Sequence, residues 1–88
     1  MQDAEELRRK LQQEILRLLA ARGPSKTVCP SEAARAVAGE YRTAWEPLME
    51  PARDAAQTLV GEGNIVVTQK GRVVDGRTAK GPIRLRLR

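Results

Sequence analysis

Histidine and phenylalanine are missing from this 88-residue chain, and cysteine, tryptophan and tyrosine occur once each. Without histidine, the side chain that most often moves protons near neutral pH is gone, so Ser/His/Asp and Cys/His nucleophile arrangements are excluded. A single Cys29 cannot form an internal disulfide, and one cysteine without histidine excludes the usual zinc sites. Gly61-Glu62-Gly63 has neither the spacing nor the lysine of a phosphate-binding glycine loop. No apolar run approaches the length of about 20 residues that a membrane span needs. The opening Met1-Gln2-Asp3-Ala4-Glu5-Glu6 is acidic, which is wrong for a signal peptide, so a cytoplasmic location is expected. These absences lead us to expect a non-enzymatic protein with no metal, no cofactor, no evident small-molecule substrate and no membrane partner. The length allows one domain over residues 1–88, and a chain this small buries only about 60–65% of its unfolded surface.

What the chain has in quantity is charge. Lysine and arginine number 16 against 11 acids, a net +5, and the distribution is uneven. Residues 1–22 carry five basic and four acidic side chains, and residues 23–69 carry four and six. Residues 70–88 carry seven basic side chains against Asp75 alone. Such a patch raises the local concentration of anionic partners, and the plain alternative is a solubilising surface.

Periodicity outlines the elements. Leu7, Leu11, Ile15, Leu18 and Leu19 recur at helical spacing, with Leu16 widening the stripe. Asp3 at the start, Arg22 at the end and Gly23-Pro24 beyond it bound a first helix over about Asp3–Arg22. Lys26-Thr27-Val28 is short and β-prone. Pro30 suits the first position of a second helix, with Glu32 in its first turn and Gly39 as its stop. Thr43-Ala44-Trp45-Glu46 matches a capping box, followed by a short turn and a restart at Pro51. Ala52, Ala55, Ala56, Leu59 and Val60 then form a buried stripe that ends at Gly61 or Gly63. Beyond it the period becomes two, with Ile65 and Val67 facing one way and Val66 and Thr68 the other. Gly71, Gly76 and Gly81-Pro82 mark a glycine-rich loop around Arg72-Val73-Val74. Finally Ile83, Leu85 and Leu87 alternate with Arg84, Arg86 and Arg88, giving one apolar and one cationic face.

The order is α+β: helix, short strand, two helices, strand, loop, strand. It describes a winged helix, a three-helix helix-turn-helix core with a C-terminal β-hairpin wing. Several stretches carry a resemblance as well: residues 21–32 (Ala-Arg-Gly-Pro-Ser-Lys-Thr-Val-Cys-Pro-Ser-Glu), Trp45 with Leu48-Met49, Gly61-Glu62-Gly63-Asn64-Ile65, Thr68-Gln69-Lys70-Gly71, Val74-Asp75 and Lys80-Gly81-Pro82-Ile83-Arg84-Leu85. In this order they resemble a bacterial family of small domains known as domain of unknown function 3253, over about residues 10–87. The resemblance implies a winged-helix-like fold, often as a short stand-alone protein, and no activity.

Two readings of function follow. In the first the chain binds nucleic acid. Arg84, Arg86 and Arg88 repeat at about 6.5–7 Å along a strand, close to the phosphate spacing of one DNA strand. Lys70, Arg72, Arg77 and Lys80 extend that surface, and Arg53 and Gln57 of the third helix reach base edges. Residues 46–62 carry four acids and one arginine, however, which suits phosphate poorly. In the second reading the chain is a protein–protein interaction module that docks through this acidic helix, and the three arginines only keep an edge strand soluble. Cys29 is expected to be a structural thiol, and Trp45 an anchor for the turn between the second and third helices rather than a base-stacking ring.

Overall fold

A computed structural model describes residues 3–88. Helix α1 runs Ala4–Arg22, capped by the Asp3 carboxylate, which accepts from the Glu6 backbone N–H at 2.7 Å. Its residues Leu11, Ile15 and Leu19 lie one above another and are fully buried. Strand β1, Thr27–Val28, leads into helix α2, Pro30–Ala38. Ala33 and Ala34 of α2 are fully buried beside α1, and their small size lets the helices approach closely.

The next segment differs from the sequence expectation. Helix α3 spans only Arg42–Trp45, a 3-10 turn covers Glu46–Leu48, and helix α4 runs Met49–Gly61. Tyr41, not Thr43, occupies the N-cap of α3, so Thr43 lies inside the first turn and forms no capping box. The Glu32 carboxylate instead reaches back to the Cys29 backbone N–H at 2.8 Å at the start of α2. Helix α4 begins two residues before Pro51. Pro51 therefore sits in the first turn, where backbone N–H groups lack intrahelical partners and a missing donor costs nothing. Ala52, Ala55, Ala56 and Leu59 of α4 pack against α1 and α2.

Strand β2, Ile65–Gln69, turns through Lys70-Gly71 into strand β3, Arg72–Val74. Lys70 and Gly71 have φ of 51° and 79°, a two-residue turn whose twist suits a tight antiparallel hairpin. The stretch expected to be loop is thus a strand, because this turn brings Val73 and Val74 opposite Thr68 and Val67. Strand β4, Arg84–Leu87, returns between β1 and β2, giving an antiparallel sheet of order β1-β4-β2-β3. β4 is therefore an interior strand and not an edge, which removes the anti-aggregation reading of its arginines. Val28, Ile65, Val67, Ile83 and Leu85 pack from the sheet against the helices, so aliphatic side chains alone fill the core. Each such side chain, fully buried, contributes about 1.5–3 kcal/mol.

Candidate functional site: a cationic sheet face and a basic groove

Because paired residues on neighbouring strands share a face, the pairing of β4 fixes where its arginines lie. Arg86 is opposite Thr27 of β1 and Val66 of β2, while Arg84 is opposite Thr68. These residues, with Val73 of β3, form the sheet face turned away from the helices. Arg84 is anchored there, donating to Thr27 Oγ1 at 3.0 Å and to the Thr27 carbonyl at 3.4 Å. Its side chain and that of Val73 flank Thr68, which is buried on this outer face. Arg86 is half-buried and Arg88 exposed.

Ion pairing divides the chain in two. Every basic residue within helices α1, α2 and α3 has an acidic partner: Arg8 and Arg9 with Glu5, Lys10 with Glu6, Arg17 with Glu14, Arg22 with Glu32, Arg35 with Glu40 and Arg42 with Glu46, while Lys26 in the turn before β1 has none among the described residues. Of the eight basic residues beyond Arg42, only Arg77 has one among the described residues, Asp75 at 3.5 Å. The Arg77 backbone N–H also donates to the Asp75 carboxylate at 2.9 Å and is the main reason that carboxyl sits below its ordinary pKa.

The nine sequence-proposed residues do not form one surface. Arg84 and Arg86 share the outer face of the sheet, while Arg88 follows the end of β4 with its guanidinium beside Gly63. Lys70, Arg72 and Lys80 line an open groove of about 780 Å³ at the hairpin tip, together with Gln69, Val74 and Pro82. The Gln69 side-chain amide donates to the Lys80 and Pro82 carbonyls at 2.7 and 3.0 Å and so straps residues 80–82 to the hairpin. Arg53, Gln57 and Arg77 lie elsewhere, where residues 75–82 cross α4. Arg53 reaches the Gly81 carbonyl at a long 3.5 Å, and Gln57 packs under Gly76. Gln57 and Arg77 both border a hollow between α4 and this segment. Sequence reasoning missed the groove as a unit, and it missed Gln69, whose role depends on carbonyls 11 and 13 residues further along.

Elsewhere, the Arg22 guanidinium binds the Glu32 carboxylate and the Thr27 carbonyl, the latter at 3.0 Å. The Arg22 hydrogen bond leads in holding the Glu32 carboxyl down to about 2, against the opposing effect of burial. The Cys29 N–H and the charges of Arg22 and Arg84 add to it. Cys29 is half-buried and accepts a 3.1 Å hydrogen bond from the Ser31 hydroxyl. Trp45 is half-buried under the Arg35 guanidinium, 5.9 Å from the ring centre, which ties α3 to α2. No group of three or more metal-ligating side chains converges among the described residues, and no described helix is long and apolar enough to cross a membrane.

Fold and surface together define a small α+β domain in which helices cover one face of an antiparallel sheet and Arg84 and Arg86, without an ion pair among the described residues, lie on the other. The family model described as "Protein of unknown function (DUF3253)" matches residues 8–88, and the chain belongs to that family. A comparison with curated proteins gave no match.

Proposed function

We propose that this chain is a winged-helix module that binds nucleic acid through phosphate contacts from the outer face of its sheet. The winged-helix reading is supported by the order α1, β1, α2, α4, β2, β4 and by the pairing of β4 between β1 and β2. In this reading the chain between β2 and β4, with β3 inside it, is the wing. The observation that carries the functional reading is the uneven ion pairing. Helices α1 to α3 neutralise their own cations, while Arg86, Arg88 and the groove lysines have no acidic partner among the described residues. A surface of unneutralised cations gains affinity by displacing counterions from a polyanion.

Helix α4 stands in the position of a recognition helix, yet its exposed side chains include Glu50 and Asp54, which repel phosphate. Arg53 and Gln57 are already engaged by the segment that crosses them. In this reading α4 does not enter a groove, and sequence preference is weak. The test is binding of a generic DNA duplex across a salt series, with wild type and an Arg86→Ala/Arg88→Ala variant. Arg84 is retained because it links β4 to β1. Wild type should bind more weakly as salt rises. The variant should bind less tightly, with a slope flatter by about 0.9 for each phosphate it no longer neutralises. A salt-independent affinity, or a variant that binds as wild type does, refutes this reading and favours a protein-docking role.

A further inference from the structure

We propose that the groove at the tip of the β2–β3 hairpin holds a phosphomonoester at the end of a nucleic-acid strand. The proposal rests on the nucleic-acid reading above and adds a discrete site to it. Lys70, Arg72 and Lys80 bring three cations to one groove, no acid lines it, and none of the three has an ion pair among the described residues. A backbone phosphodiester offers this cluster one negative charge. A terminal phosphate offers about 1.5 to 2 at neutral pH, together with three acceptor oxygens. Three converging cations therefore match a strand end better than a strand interior.

The groove has room for more than the phosphate. Its volume of about 780 Å³ lies in the range of small-molecule sites, and Val74 and Pro82 supply apolar surface for the attached nucleoside. It is also held in shape before any ligand arrives. Gln69 uses its amide to fix the carbonyls of Lys80 and Pro82, so Lys80 is kept on the hairpin and is not left on a free loop. Lys70 occupies a left-handed backbone position, φ 51°, that asparagine or glycine adopts more readily. At that position the hairpin carries an ammonium at its tip, on the rim of the groove.

The left-handed backbone also supplies a variant that keeps the fold. Lys70→Asn suits the turn at least as well as lysine, and thermal unfolding should show no loss of stability. Affinities are then measured for two single-stranded DNA oligonucleotides of one sequence, with a 5′-phosphate or a 5′-hydroxyl. Wild type should prefer the phosphorylated strand by roughly tenfold, the scale of one added charge-assisted contact. Lys70→Asn and Lys80→Ala should each weaken the binding of both strands by the loss of one cation, but should bring the ratio of the two affinities to one, and that ratio is the readout. Adenosine 5′-monophosphate should erase the preference by competition, and inorganic phosphate should do so only at higher concentration. Equal affinity of wild type for the two strands overturns the groove proposal alone. A phosphate preference that survives both substitutions overturns it as well. Failure of both strands to bind overturns it together with the reading on which it rests.

Discussion

Replacing Glu32 with glutamine removes one charge where α1, α2 and the sheet meet. The carboxylate takes hydrogen bonds from the Arg22 guanidinium and from the Cys29 N–H, with Arg84 of β4 close enough to add its charge. Together these lower the carboxyl from an ordinary 4.5 to about 2 in the folded chain. A carboxyl depressed by folding stabilises the native state only while ionised. The stabilisation is therefore complete above about pH 4.5 and is lost as pH falls towards 2. At 1.36 kcal/mol per pKa unit the full shift corresponds to about 3 kcal/mol. The Glu32 side chain is 19% exposed, but the Arg22 side chain is 37% exposed, and solvent screening there reduces the expected value to about 2 kcal/mol. Urea unfolding of wild type and Glu32→Gln from pH 7 to pH 2 measures it directly. The gap should be about 2 kcal/mol at pH 7, equivalent to roughly 10 °C in melting temperature, and should close between pH 4.5 and 2. Glu14→Gln provides the contrast. Its partner Arg17 is 60% exposed, and the cost of that substitution should stay under about 1 kcal/mol. A Glu32→Gln gap that is absent at pH 7, or that does not change with pH, refutes the reasoning.

Leu85 is fully buried in the interior strand, paired to Val28 on one side and Val67 on the other. Leu85→Ala should cost about 2–5 kcal/mol in equilibrium unfolding, and a cost under half a kcal/mol would mean that the sheet does not seal the core as described. At Gly76 an added methyl group would come within 2.9 Å of Val67 Cγ2 and would also meet the Gln57 amide. Gly76→Ala should therefore lift residues 75–82 from α4 and speed amide exchange at Ala79, whose N–H is bonded to the Asp75 carbonyl at 2.9 Å. Unchanged protection at Ala79 would mean that the segment is held by other interactions.

The bounds of α1 and α2 and the end of α4 were legible because their signals are local, whereas the starts of α3 and α4 were misread from Thr43 and Pro51. Asp3, Pro30, Gly39 and Gly61 each act within one turn of the helix they bound. The shared face of Arg84 and Arg86 was equally plain, since strand geometry alone sets it, whereas Arg88 lies past the end of β4. The third strand was hidden by its turn. Lysine is an uncommon first residue for a left-handed two-residue turn, so Lys70-Gly71 read as loop where Asn-Gly would have announced a hairpin. The interior place of β4 was hidden for another reason. It depends on pairing with Thr27, 57 residues before Arg84, and no periodicity reports contacts at that separation. The same holds for Arg53 and Gln57. They lie off the buried alanine stripe of the helix as expected, but they are half-buried because the segment that covers them comes from beyond β3.

The interior position of β4 also bears on how the sheet meets a polyanion. Arginines on an edge strand would move with that edge, whereas hydrogen bonds to β1 and β2 on both sides hold the backbone carrying Arg84 and Arg86 in register. A row of cations whose spacing is set before binding loses less conformational freedom on contact than cations on a loose arm. The opposite sign on α4 complements this. The domain measures 36 × 26 × 23 Å, more than the Debye length of about 8 Å at physiological salt. The acidic helix surface and the cationic sheet are therefore felt separately by anything larger than a small ion. A nucleic acid approaching the sheet meets attraction with little cancellation from Glu50 and Asp54, and one approaching α4 is turned away. Under the nucleic-acid reading proposed above, the charge distribution thus sets the orientation of approach.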